Sequence, residues 1–95
     1  MKLISWNVNG LRAAIKSGFL ESVNAMGPDI LCLQEIRVSP HEIEVPLDGY
    51  LPYWNSARKK GYSGTAVFTR TEPAFATYGM GIDEHDGEGR IITLE

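Results

Sequence analysis

Hydrophobic and polar positions change period several times along the chain, and each change marks a boundary. Residues 2–8, Lys-Leu-Ile-Ser-Trp-Asn-Val, are a short run of strand formers. Asn9-Gly10 turns the chain. Apolar side chains then recur at 11, 14, 15, 19, 23 and 26, which is helical spacing. Ser17-Gly18 interrupts that stretch, so it reads as two short helices or one kinked helix. Gly27-Pro28 is a stop, because Gly suits the left-handed cap and Pro cannot continue a helix. Residues 30–34, Ile-Leu-Cys-Leu-Gln, form a near-continuous apolar run of the kind found in a strand covered on both faces. Residues 2–34 therefore predict a βαβ unit with parallel strands.

The second half changes character. Residues 37–50 are a polar connection with Pro40 and Pro46, with room for a helical turn around 40–45. Residues 51–56 and 64–70, joined through the Lys59-Lys60-Gly61 turn, predict an antiparallel hairpin. A further strand is expected over 74–79, a loop over 81–89, and a strand beginning at 90. One main crossover helix covers only one sheet face, whereas layered folds cover both. Residues 1–95 are thus expected to be the N-terminal portion of a single α/β domain, truncated within its last strand. A complete small α+β domain is the alternative.

Composition narrows the field. The 95 residues are 43% hydrophobic and 22% charged, a globular balance. No apolar run reaches the roughly 20 residues of a membrane span, and the polar N-terminus does not read as a signal peptide. A single cysteine, Cys32, excludes an internal disulfide and suits a reducing compartment. Flanked by Leu31 and Leu33, it is expected to be buried and inert. The net charge of −3 argues against a bulk-basic nucleic-acid module. The charge is uneven, since residues 1–62 hold seven Lys/Arg against six Asp/Glu, and residues 63–95 two against six. Arg58-Lys59-Lys60 is the nearest approach to a basic patch, and such a short run is usually a solvated turn.

Candidate chemistry sits at strand ends. Asn7 and Glu35 close the two parallel strands at their carboxyl ends, where open α/β sheets bind ligands. Strands about 4.8 Å apart let both side chains reach one ion or phosphate. A carboxylate with an amide oxygen suits Mg²⁺. In the alternative, Asn7 caps the following helix and Glu35 is a solvated loop acid. Gly61-Tyr62-Ser63-Gly64 either lays Tyr62 against a sugar or phosphate or is a plain hairpin corner. Asp83-Glu84-His85-Asp86-Gly87-Glu88 fails the calcium-loop pattern, because His85 stands where an oxygen ligand is needed. Neither His85 nor His41 supports a zinc or catalytic role.

Several segments together resemble the exonuclease III family of apurinic/apyrimidinic endonucleases. They are Leu3-Ile4-Ser5-Trp6-Asn7-Val8-Asn9-Gly10-Leu11-Arg12-Ala13 and Pro28-Asp29-Ile30-Leu31-Cys32-Leu33-Gln34-Glu35 with Arg37 after it. Gly61-Tyr62-Ser63-Gly64-Thr65-Ala66-Val67, Tyr78-Gly79-Met80-Gly81 and Glu84-His85-Asp86-Gly87-Glu88-Gly89-Arg90-Ile91-Ile92 continue the match. The first segment is highly specific. The Gln34-Glu35 pair alone would fit the wider superfamily of metal-dependent phosphodiesterases. Asn-Val-Asn at 7–9 is similar to bacterial members. Ile36 departs from the family, which usually has a small hydroxyl residue there.

The resemblance implies the N-terminal part of a four-layer α/β sandwich, a mixed sheet with a parallel βαβ start and an antiparallel hairpin. It implies Glu35 as the metal-binding carboxylate, with Asn7 supporting the metal and phosphate site. It places Asn9, Arg12, Lys16, Tyr62 and Arg90 where the family contacts DNA or orders the site. The expected activity is Mg²⁺-dependent (Mn²⁺ substituting) cleavage 5′ to abasic sites in double-stranded DNA, with removal of nucleotides from 3′ ends. A monomeric, cytoplasmic parent enzyme and no membrane partner are expected. The family's water-activating residues have no counterpart within these 95 residues, so the chain alone is expected to be inactive. Two rivals stay open: a phosphodiesterase of the same superfamily acting on lipid or inositol phosphates, and a non-catalytic module that binds nucleic acid or a partner chain.

Overall fold

The computed structural model describes residues 1–79, 87, 89 and 92–94. Its elements are β1 (Leu3–Asn7), α1 (Leu11–Lys16), α2 (Phe19–Met26), β2 (Ile30–Gln34), a 3₁₀ turn (Pro40–Glu42), β3 (Leu51–Asn55), β4 (Thr65–Thr69), β5 (Ala76–Tyr78) and β6 (Ile92–Leu94). The expected helical stretch is two helices. Gly18 at φ +100° starts the second, and Gly27 at φ +57° ends it in the left-handed conformation. The 3₁₀ turn carries a capping box between Ser39 and Glu42, with Pro40 at its start.

Four strands form one mixed sheet in the order β1-β2-β4-β3, and β5 pairs with β6 in a second, two-stranded sheet. β1 and β2 are parallel, with Ser5 opposite Cys32. β3 and β4 are the antiparallel pair read from the sequence, with Tyr53 opposite Val67. β4 also pairs antiparallel with β2, which makes it a central strand. Pro52 is tolerated because β3 is the sheet edge, where a missing N–H breaks no ladder on its open side.

Alternation sorts the sheet into two unlike faces. Leu31 and Leu33 of β2 and Ala66 and Phe68 of β4 are buried beneath the helices, with Leu11, Phe19 and Val23 as the helical share of the core. Trp6 stacks tilted on Phe19 at 5.2 Å, and Trp54 meets Phe68 edge-on at 5.7 Å. Val8, Ile36 and Leu47 close the ends. The opposite face of β2 is only half-buried at Ile30, Cys32 and Gln34. This corrects two expectations: β2 is fully covered on one face rather than both, and Cys32 is half-buried rather than fully enclosed. The cause is the pleat, which turns Cys32 away from Leu31 and Leu33 toward the opposite face, where Ile92 of β6 lies near it. There Cys32, Gln34, Thr65, Val67 and Ile92 border one small cavity. Partial burial still pushes the Cys32 thiol pKa up. Among the described residues no helix is long and apolar enough to cross a membrane. The expected loop at 81–89 falls almost wholly outside the described residues.

Candidate metal and phosphate site

The carboxyl ends of β1 and β2 are knitted together by backbone. Val8 N–H donates to Gln34 O at 3.1 Å, Gly10 N–H to Glu35 O at 2.7 Å, and Leu11 N–H to Ile36 O at 2.8 Å. On the other side, Ile36 N–H donates to Gly64 O at 3.2 Å and Arg37 N–H to Ser63 O at 2.8 Å. Residues 35–37 therefore run as a strap between the turn after β1 and the turn before β4. Their backbone is not that of a strand. Glu35 (φ +52°) and Arg37 (φ +58°) are left-handed, as are Asn9 (φ +50°) and Ser63 (φ +48°) beside them. These four are the non-glycine residues with positive φ among the described residues. Such backbone costs of order 1–3 kcal/mol per residue and tends to cluster where function demands it.

The strap sets the side chains. Asn7 Nδ2 donates a short hydrogen bond to Glu35 Oε2. Asn7 Oδ1 accepts from Asn9 N–H at 3.0 Å, which fixes the amide so that its NH₂ faces the carboxylate. Asn7 thus orients Glu35, with its own oxygen taken by Asn9. It does not cap α1: the cap position is Gly10, without a side-chain cap. Arg37 Nη2 lies 3.3 Å from Glu35 Oε1, so both carboxylate oxygens are engaged.

Beside this cluster opens a cleft of about 400 Å³ whose lining includes Asn9, Arg12, Lys16, Arg37, Glu42 and Lys60. Four cations face one acid there. Arg12 Nη2 donates to Glu42 O at 3.4 Å. Lys60 Nζ is 3.9 Å from Glu42 Oε2. The backbone N–H of Ser39 donates to Glu42 Oε1 at 2.9 Å, and that bond is the main reason the Glu42 pKa is lowered. Tyr62 stands exposed on the turn that meets Arg37, with the Lys59 ammonium 5.5 Å from its ring centre. Arg90 and His85 lie outside the described residues.

Of the residues read from sequence, Asn7 and Glu35 touch, Asn9 holds Asn7, and Arg12 and Lys16 share the neighbouring cleft. Arg37 and Lys60 were not singled out as site residues. Lys60 read as part of a solvated turn, and only the tertiary fold brings that turn against α1. Ile36, the departure from the resembled pattern, is completely buried. It packs so closely on Gly64 that a Cβ there would stand 2.9 Å from Ile36 Cγ1.

Among the described residues there is no cluster of three or more His, Cys, Asp or Glu side chains able to hold a metal. The donor set is instead one carboxylate steadied by one amide, with the Glu35 side chain 38% exposed. That sparse set of oxygen chemistry fits Mg²⁺, which keeps several waters and takes other ligands from substrate phosphate.

A sequence profile of the Endonuclease/Exonuclease/phosphatase family matches residues 4–95. The chain belongs to this family. Within it, the chain is 54% identical over 96 residues to the exodeoxyribonuclease of Bacillus subtilis (strain 168), covering all of this chain and 38% of that protein. It is 48% identical over 101 residues to the DNA repair nuclease APEX1 of Danio rerio, covering 32% of that protein. Among solved structures, the catalytic domain of Xenopus laevis APE2 superposes with TM-score 0.80 at 31% identity, over 97% of this chain and 38% of that one. A 3′ phosphatase from Neisseria bound to a product DNA hairpin also gives TM-score 0.80, at 28% identity over 99% of this chain and 37% of that one. The family fold is therefore present as a fragment: the chain spans well under half the length of these relatives.

Proposed function

We propose that this chain is the metal-holding and phosphate-facing part of a DNA repair nuclease of the exonuclease III type. The parent activity is Mg²⁺-dependent hydrolysis of the phosphodiester 5′ to an abasic site in double-stranded DNA, with removal of nucleotides from 3′ ends; Mn²⁺ substitutes for Mg²⁺. The parent acts as a monomer in the bacterial cytoplasm. One observation carries the reading: an oriented, partly exposed carboxylate, Glu35, is paired with Arg37, which lines a cleft shared with Arg12, Lys16 and Lys60. That pairing suits a phosphate ester held between a cation and basic side chains.

Each residue has a part in it. Glu35 holds the cation, and Asn7 fixes the carboxylate toward it. Arg12, Lys16 and Lys60 hold backbone phosphates along the cleft, with Asn9 at its rim. Tyr62 borders the same turn, and Arg90 is proposed as a DNA contact from the resemblance alone. The bound cation would offset charge building on the scissile phosphate. A water also has to be activated, and the described histidine, His41, lies exposed in the 3₁₀ turn, outside the segments that carry the family resemblance. The 95-residue chain is therefore expected to bind without turning over.

The test has two arms. Mn²⁺ binding should depend on Glu35, and binding of an abasic duplex should weaken on Arg12→Ala and Lys16→Ala, each lowering the salt slope by about one. Duplex binding indifferent to both cations, or Mn²⁺ binding indifferent to Glu35, defeats the reading. In millimolar Mg²⁺ the chain should leave the abasic duplex intact, and Glu35-dependent incision would show the inactivity claim wrong.

A further inference from the structure

We infer that Arg37 is a built-in competitor for the cation at Glu35: its guanidinium holds the carboxylate in the metal-free chain and is displaced when a divalent ion binds. This rests on the reading of Glu35 as a cation ligand. Three observations carry it. The two Glu35 oxygens are divided, with Oε2 taking the Asn7 amide and Oε1 taking Arg37 Nη2 at 3.3 Å. Of these two, Arg37 brings the charge, and a cation arriving at Oε1 meets that charge directly. The Arg37–Glu35 pair is long, single-pronged and exposed, with side chains 45% and 38% accessible, so it is weak enough to open.

The backbone keeps the pair from being incidental. Glu35 and Arg37 both adopt left-handed φ, at +52° and +58°, and the Arg37 N–H is tied to Ser63 O at 2.8 Å. This sets the Arg37 stem against the Asn9-Gly10 turn, with its Cδ 3.9 Å from where a Cβ on Gly10 would stand. From there the guanidinium serves two places: Glu35 on one side and the cleft shared with Arg12, Lys16 and Lys60 on the other. Displacement by the cation would leave Arg37 to that cleft. It is a positioning residue, acting on the metal site through Glu35.

The experiment is a Mn²⁺ titration of the chain, read from the electron paramagnetic resonance of the free ion, for wild type, Arg37→Gln, Arg37→Lys and Glu35→Gln. Arg37→Gln should bind Mn²⁺ about two- to fivefold more tightly, the span of an exposed ion pair released from competition. Arg37→Lys should stay near wild type because it keeps the competing charge. Both variants keep a side chain with the same backbone preferences at an exposed position, so the fold is retained. A second readout is the Arg37 Nε–Hε resonance: Mg²⁺ should shift it in wild type and leave it in place in Glu35→Gln. Unchanged or weaker Mn²⁺ binding by Arg37→Gln, or a resonance that ignores Mg²⁺ in wild type, overturns the competitor role while the Glu35 reading stands. If Glu35→Gln binds Mn²⁺ as wild type does, the metal reading itself fails and the inference goes with it.

Discussion

At the amino end of the β1–β2 pair, Lys2 and Asp29 bond each other's backbone: Lys2 N–H donates to Asp29 Oδ2 at 2.6 Å, and Asp29 N–H to Lys2 O at 2.8 Å. Lys2 Nζ caps the end of α2 at Met26 O, 2.7 Å away, the favourable place for a cation near a helix C-terminus. Tyr50 O–H donates to Pro28 O, and Arg70 stacks on the Tyr50 ring at 5.1 Å. The left-handed positions here are glycines, Gly27 and Gly49. At the carboxyl end an acid, a base and an amide also meet, but on a backbone bent left-handed at Asn9, Glu35, Arg37 and Ser63. One end joins chain to chain with ordinary backbone. The other holds strain to aim a carboxylate outward. Polar side chains at a strand end do not by themselves suggest a site; strained backbone together with outward-facing groups is what motivates the functional proposal for the carboxyl end.

The sharpest way to break this contrast is at Glu35. Glu35→Gln should weaken Mn²⁺ binding by at least about 100-fold, above the 10–100-fold typical of losing an outer partner, while Asn7→Ala should fall within that lower range. Neither should lower the urea midpoint much, because both side chains are partly exposed. A large stability loss with intact Mn²⁺ binding would make the carboxyl end as structural as the amino end. Next comes a matched pair of glycines. Gly64→Ala forces a Cβ at φ +90° to within 2.9 Å of Ile36 Cγ1, whereas Gly27→Ala, at φ +57°, meets nothing nearer than Arg70 Nη2 at 3.8 Å. Gly64→Ala should destabilise by about 2–3 kcal/mol and Gly27→Ala by about 1 kcal/mol. Equal losses in urea unfolding would mean the strap around Ile36 is no tighter than the helix cap.

The difference between the ends also decides what the sequence could reveal. Helix and strand periods located β1, the two helices, β2 and the β3–β4 pair, because those follow local pattern and turn chemistry. The meeting of Asn7 with Glu35 was legible because parallel neighbours in register bring their carboxyl ends together. The partnership of Arg37 with Glu35 was not, since it depends on left-handed φ at two ordinary residues, for which no residue type is a signal. Lys60 joined the cleft through tertiary packing alone. The half-open face holding Cys32 was misread because an unbroken apolar run cannot say which of its faces is covered.

At the amino end the effects should be smaller and purely structural. Tyr50→Phe removes the hydroxyl that serves Pro28 O and should cost about 1 kcal/mol, with Mn²⁺ binding unchanged. The last effect is a pH dependence. The Asp29 pKa is lowered, first by the backbone N–H of Lys2 and then by the N-terminal amine, Arg70 and Lys2, with some opposition from desolvation. A carboxyl whose folded pKa lies below its unfolded value, about 3.9, stabilises the fold above that value. That contribution is lost as pH falls through the depressed folded pKa. Asp29→Asn should therefore lower stability slightly at neutral pH and flatten its decline below about pH 4, because the amide has no proton to gain. Glu42, lowered by the Ser39 N–H, adds a parallel decline, so only the difference between wild type and Asp29→Asn isolates the amino end. Curves for the two that stay parallel from neutral pH into acid would mean that the Lys2–Asp29 bond contributes no charge-dependent stability.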